Sequence, residues 1–181
     1  GKSTWAGDSL FKGRMAEVRI WSRARSQAEL QSTMNKPLVG NEPGLCVYRS
    51  LVQSQTAMIQ GAVQRVLGDL PTTTAGVLGL DGIDDAVKLP TLSVDLSRGF
   101  SLEFWLYLDS LPAADTAIVE LGTASGASRL TLRHRGSTGN LSLTVWDTAT
   151  NGMSLLMPNL LKAGQWMHIA VTVDAAGYGR I

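Results

Sequence analysis

The chain has 181 residues, of which 44% are hydrophobic and 17% charged; this excludes disorder over most of its length and allows one substantial core. Lysine and arginine number 16 against 15 acids, a net charge of +1, so no strong field draws the chain to nucleic acid or to an anionic membrane surface. No apolar run reaches the roughly 18 to 20 residues that a bilayer span requires, and a single cysteine, Cys46, excludes an intrachain disulfide.

The first element is a strand from Arg14 to Trp21. It alternates, with Ala16, Val18 and Ile20 on one face and Met15, Glu17 and Arg19 on the other. Ser26 followed by Glu29 has the spacing of a capping box and predicts a short helix near residues 27–34, ended at Asn35-Lys36-Pro37. Residues 36–43 are turn-rich and form a boundary. Gly44 to Leu51 reads as a strand, and the apolar neighbours of Cys46 make it a core thiol. Residues 52–71 fit neither period, leaving a loop or a short helix over 57–66.

Two short strands then flank the turn Asp81-Gly82-Ile83-Asp84-Asp85. The strongest strand follows. Phe100, Leu102, Phe104, Leu106 and Leu108 share one parity, while Ser101, Glu103, Trp105, Tyr107 and Asp109 share the other. The aromatic residues on that second face predict that it is covered. Strands over 116–122, 129–136 and 141–147 are separated by glycine turns, and Gly164 to Asp174 supplies another. Many short strands at this spacing predict an all-β, antiparallel two-sheet sandwich of the jelly-roll kind.

Four stretches carry a resemblance. Phe11, Gly13, Glu17 to Trp21, Ser26 and Glu29 resemble the closing segment of the laminin-G-like, concanavalin-A-like jelly-roll family. Leu80 to Val87 resembles its early segment, and Gly99 to Leu108 its aromatic strand. Gly164, Trp166, His168 and Ala170 resemble its Gly-x-Trp-x-His-x-Ala strand. The order is inverted relative to one ordinary module. Residues 1–36 match a closing strand and helix, and residues 41–181 match the opening and middle strands. The resemblance therefore implies a window across two tandem modules of a longer chain, as the missing initiator methionine also suggests. Residues 1–36 are expected either to complete the sandwich of 41–181 within one chain or to exchange between copies.

The resemblance implies a non-catalytic module that binds a glycan or a protein surface in a larger extracellular or cell-surface protein, with neighbouring tandem modules as further partners. Bacterial proteins, toxins and adhesins among them, carry such modules. A structural spacer is the second reading and a glycoside hydrolase the third. Hydrolysis needs two facing carboxylates. No strand here alternates acids, and Glu103 stands alone on its strand. Asp81, Asp84 and Asp85 are the candidate calcium ligands; a tight turn with aspartates capping backbone amides is the other reading. Trp146, with Asn151 in the polar stretch after it and Arg133 among the later arginines, is the candidate ligand platform. Most arginines, from Arg14, Arg19, Arg23 and Arg25 to Arg129 and Arg135, are read as solvated, and so is His134. His168 is read as packed and hydrogen-bonded to backbone. No membrane insertion and no nucleic-acid partner are expected.

Overall fold

A computed structural model describes residues 8–49, 58–60, 64–66, 77–89, 98–122, 129–146 and 152–181. In chain order the elements are β1 (Lys12–Trp21), α1 (Gln27–Thr33), β2 (Leu45–Arg49), β3 (Met58–Gln60), β4 (Gln64–Val66), β5 (Val77–Asp81) and β6 (Ala86–Lys88). They continue with β7 (Phe100–Tyr107), β8 (Thr116–Gly122), β9 (Arg129–Arg135), β10 (Asn140–Trp146), β11 (Gly152–Met157), β12 (Trp166–Val173) and β13 (Gly179–Arg180). The larger sheet runs β13-β12-β7-β1-β5-β4, with β2 also on β1, and the smaller runs β11-β10-β9-β8. Among the described residues every pair of named strands is antiparallel, and β3 pairs with β6. Residues 58–60 and 64–66 are thus strands, where the sequence pattern left a loop or a helix open.

The core lies between the sheets. Phe100, Leu102, Phe104 and Leu106 of β7 meet Leu130 and Leu132 of β9 and Leu141 and Leu143 of β10. Each such side chain contributes about 1.5–3 kcal/mol when fully buried. His134 shares this inward face through its pairing with Leu141 and is fully buried, its Nε2 on the Thr138 carbonyl. That corrects the reading of His134 as solvated. Cys46 is also corrected: Val47 takes the core position, and the thiol is exposed on the opposite face.

Strand β1 sits inside the larger sheet. One side pairs with β7, from Arg14↔Tyr107 to Trp21↔Ser101. The other side pairs first with β5, from Lys12↔Asp81 to Met15↔Leu78, and then with β2, from Val18↔Arg49 to Trp21↔Leu45. The β1–β7 register shifts between Ala16 and Arg19, where Glu17 has φ 53°. Such a bulge reverses strand parity. Met15 before it and Ile20 after it both join the inter-sheet core, whereas Ala16 joins Trp105 on the far face. Simple alternation from 14 to 21 had placed Ala16 with Ile20, and the bulge overturns it.

On that far face lies the arm that leaves β1. The predicted capping box is formed: Ser26 Oγ accepts from the Glu29 N–H, and Glu29 accepts from the Ser26 N–H. The last helical carbonyls have no partners within the helix. Here Arg19 donates to Thr33 O (3.0 Å) and Lys36 O (2.7 Å), and Trp105 Nε1 donates to Met34 O (3.1 Å). Two side chains of the sheet thus cap the helix and fix the arm across it.

Candidate functional site

Between the arm and the sheet lies a buried charge cluster. Glu103 has no exposed surface, and its Oε1 accepts from Trp21 Nε1 (2.9 Å) and Arg25 Nη1 (3.0 Å). Its Oε2 accepts from His168 Nε2 at 3.1 Å and lies 3.8 Å from Arg19 Nη1. Arg19 also binds Glu17 Oε2 at 2.9 Å, and that same oxygen accepts from the Tyr48 hydroxyl at 3.0 Å. Arg25 stacks over Trp21, with Cζ 4.0 Å from the ring centroid. Burial would raise the Glu103 carboxyl. The hydrogen bond from His168, the charges of Arg19 and His168, and the Trp21 N–H outweigh it and hold the group below its ordinary value.

Arg19 and Arg25 are therefore structural cations on a covered face, which corrects their reading as solvated. His168 bonds a carboxylate and not backbone. Parity had put Glu103 on the covered face. Its partners come from 65 to 84 residues away, and no local pattern announces contacts of that span. The available signal was one acid on a face otherwise made of Ser101, Trp105 and Tyr107, which burial obliges to find a cation.

The second constellation is the turn after β5. Asp81 Oδ1 accepts from the Ile83 N–H (2.7 Å), and Asp85 Oδ2 accepts from the Asp81 N–H (2.8 Å). Gly82 takes φ 78°, and a Cβ there would stand 2.9 Å from Cβ of Lys12, so the turn needs glycine. One carboxylate oxygen from each of Asp81, Asp84 and Asp85 falls within a span of 4.8 Å. Asp81 and Asp84 are exposed; Asp85 is buried, and its Oδ1 has no hydrogen-bond partner. The turn is the amide-capping one, and it also leaves one buried oxygen open. That oxygen and two exposed carboxylates fit a hard cation with oxygen ligands.

The third is the outward face of the smaller sheet. Trp146 lies opposite Arg129 on one side and Gly152 on the other, and its half-buried ring lies over Gly152. Arg133 is on the same face opposite Ser142, and its Nη2 is 2.9 Å from Asp8 Oδ2. The sheet thus puts Trp146 and Arg133 on one face, with Arg133 already engaged by a carboxylate. Asn151 lies outside the described residues.

Comparison with known proteins gives one match. The family model described as concanavalin A-like lectin/glucanases superfamily matches residues 81–181, more than half of the chain. No curated protein and no solved structure matches it.

Proposed function

Since the chain belongs to the concanavalin A-like lectin/glucanases superfamily, we propose that it is a recognition module that binds a glycan or a protein surface without transforming it. The observation that carries this reading is the condition of the two carboxylates on the covered face of the larger sheet. Glycoside cleavage needs two carboxyl groups that face the scissile bond and exchange protons with it. Glu103 and Glu17 are both buried under the arm, bridged by Arg19 and further held by Arg25, Trp21, His168 and Tyr48. Carboxylates paired with arginines in a closed layer brace the fold rather than exchange protons with a substrate.

In this reading the ligand end includes Trp146 with Asn151, and Arg133, which lies further along the same sheet face and is paired with Asp8. A calcium ion on Asp81, Asp84 and Asp85 would satisfy the open oxygen of Asp85 and stiffen the turn between β5 and β6. The setting is a larger extracellular or cell-surface protein, where neighbouring modules of the same kind raise affinity by repetition. A purely structural module is the second reading. One observation favours it: Thr131 and Ser142, on the outward face of the smaller sheet, are buried, as is Glu103 on the outward face of the larger one.

A glycan array probed with the purified chain, in calcium and in chelator, tests the proposal. Retention on a defined set of glycans, without their cleavage, is the expected result, with weaker retention in chelator. Glycan cleavage defeats the non-catalytic reading. A chain that retains no glycan, and captures no protein from an array of extracellular domains, is a spacer.

A further inference from the structure

The Glu103 cluster lies at the junction of three strands. Strands β1 and β12 flank β7 and are both antiparallel to it, so β1 and β12 run the same way. Arg14, Tyr107 and Trp166 mark one end of this layer, and Trp21, Ser101 and Thr172 mark the other. The backbone enters β1 at the first end. It leaves β12 at the second, where β13 turns back over two pairs, Thr172↔Arg180 and Val173↔Gly179.

Strand β12 has 8 residues, which at about 3.4 Å each give about 27 Å along the strands, against about 10 Å across two strand spacings. A pull between the start of β1 and the end of β12 is thus directed within about 20° of the strand axes. Ladder hydrogen bonds lie perpendicular to antiparallel strands. Such a pull loads the six β1–β7 pairs and the eight β7–β12 pairs together, not one after another.

Several features oppose the slide that this pull demands. Glu103, on the central strand, accepts from Trp21 of β1 at 2.9 Å and from His168 of β12 at 3.1 Å, so it ties β7 to both neighbours. The Gly13 backbone is seated against the Tyr107 carbonyl, where a Cβ would collide. Withdrawal of β1 toward its N-terminus brings Arg14 and then Met15 to that place. The bulge at Glu17 fixes the register, because β1 cannot advance along β7 without moving the extra residue. The arm is fastened across the same interface: Arg19 of β1 donates to Thr33 O and Lys36 O, and Trp105 of β7 donates to Met34 O. Ser101 of β7 also accepts from the Arg25 N–H (2.8 Å) and donates to Arg23 O (2.9 Å).

We propose that the β1–β7–β12 layer is a shear clamp with Glu103 as its bolt, and that the module bears tension carried along a longer chain. A buried ion cluster adds little net stability compared with apolar packing. It is directional, however. A slide of one residue, about 3.4 Å, parts Glu103 from Trp21 and His168 and leaves desolvated charges without partners. The cluster therefore raises the barrier to sliding more than it lowers the folded state, which is the requirement for resistance to force. The inference goes beyond the recognition reading, takes from it only the setting in a longer chain, and needs no ligand.

The test is single-molecule force spectroscopy on the full chain, in a Cys46→Ser background, pulled in two directions at one loading rate. One pair of handles is at the two chain ends. The other is at the N-terminal end and at Ser110→Cys, an exposed position just after β7 at the end of the layer where β1 begins. This second pull opens β1 from β7 one pair at a time, starting at Arg14–Tyr107. The end-to-end pull is expected to need at least about twofold more force. Glu103→Gln should lower the end-to-end force and leave the second nearly unchanged. Trp21→Phe removes one β1–β7 hydrogen bond and keeps an aromatic ring under Arg25, and it carries the same expectation if Glu103→Gln does not fold. Equal forces in the two directions overturn the clamp. An end-to-end force that the variants leave unchanged, or a loss that is the same in both directions, overturns the role of Glu103 as its bolt. Each of these results leaves the recognition reading to the glycan array.

Discussion

At Glu103 a carboxylate with no exposed surface accepts hydrogen bonds from Trp21, Arg25 and His168. Removing one partner from a buried ion cluster costs more than the cluster is worth, because the remaining charges stay desolvated. In Glu103→Gln, Arg25 loses its carboxylate and Arg19 keeps only Glu17. The expected loss of stability is about 3–5 kcal/mol, read from urea unfolding. The pH dependence follows from the lowered Glu103 value. A carboxylate lowered in the folded state contributes fully above its ordinary value of 4.5 and loses that contribution as the pH falls through the folded value. The stability gap between wild type and Glu103→Gln should therefore be widest near neutrality and shrink as the pH falls below 4.5. A gap independent of pH would mean that shape and hydrogen bonding, not charge, give Glu103 its role.

At the scale of elements, the close approach of β1 to β7 depends on Gly13. A Cβ at this position would stand 2.3 Å from the Tyr107 carbonyl oxygen, and its φ of 153° is one that side-chain-bearing residues rarely adopt. Gly13→Ala should destabilise by at least about 1–3 kcal/mol, seen as a lower melting temperature, and an unchanged melt would mean that β1 moves aside at little cost. The elements differ in how far the sequence announced them. The alternation of β7 and the Ser26–Glu29 box are local, and both are present in the structure. The bulge at Glu17 was hidden, because glutamate is not a residue that marks a left-handed backbone. One inserted residue then moved Ala16 to the far face and carried the error through the strand. The candidate sites divide in the same way. The aspartates of the 81–85 turn converge because they are neighbours in sequence. The Glu103 cluster exists only because strand pairing and the arm bring together residues 65 to 84 positions apart.

At the scale of the whole molecule, residues 12–21 fill the gap between β7 on one side and β5 and β2 on the other. Without them, β7 and β5 each lose a neighbour, and the inter-sheet core loses Met15 and Ile20. Two free strand edges beside an open apolar layer favour pairing with other chains. A chain of residues 41–181 alone should therefore aggregate or remain unfolded, and a peptide of residues 8–38 supplied in trans should restore a cooperative melt. Whether closure occurs within one chain or by exchange is a question of concentration. We propose closure within the chain, which gives a particle of 19.3 kDa in sedimentation and a melting temperature independent of protein concentration. A dimer whose melting temperature rises with concentration would mean that β1 is exchanged between copies, since the same strand pairings then close two sandwiches at once.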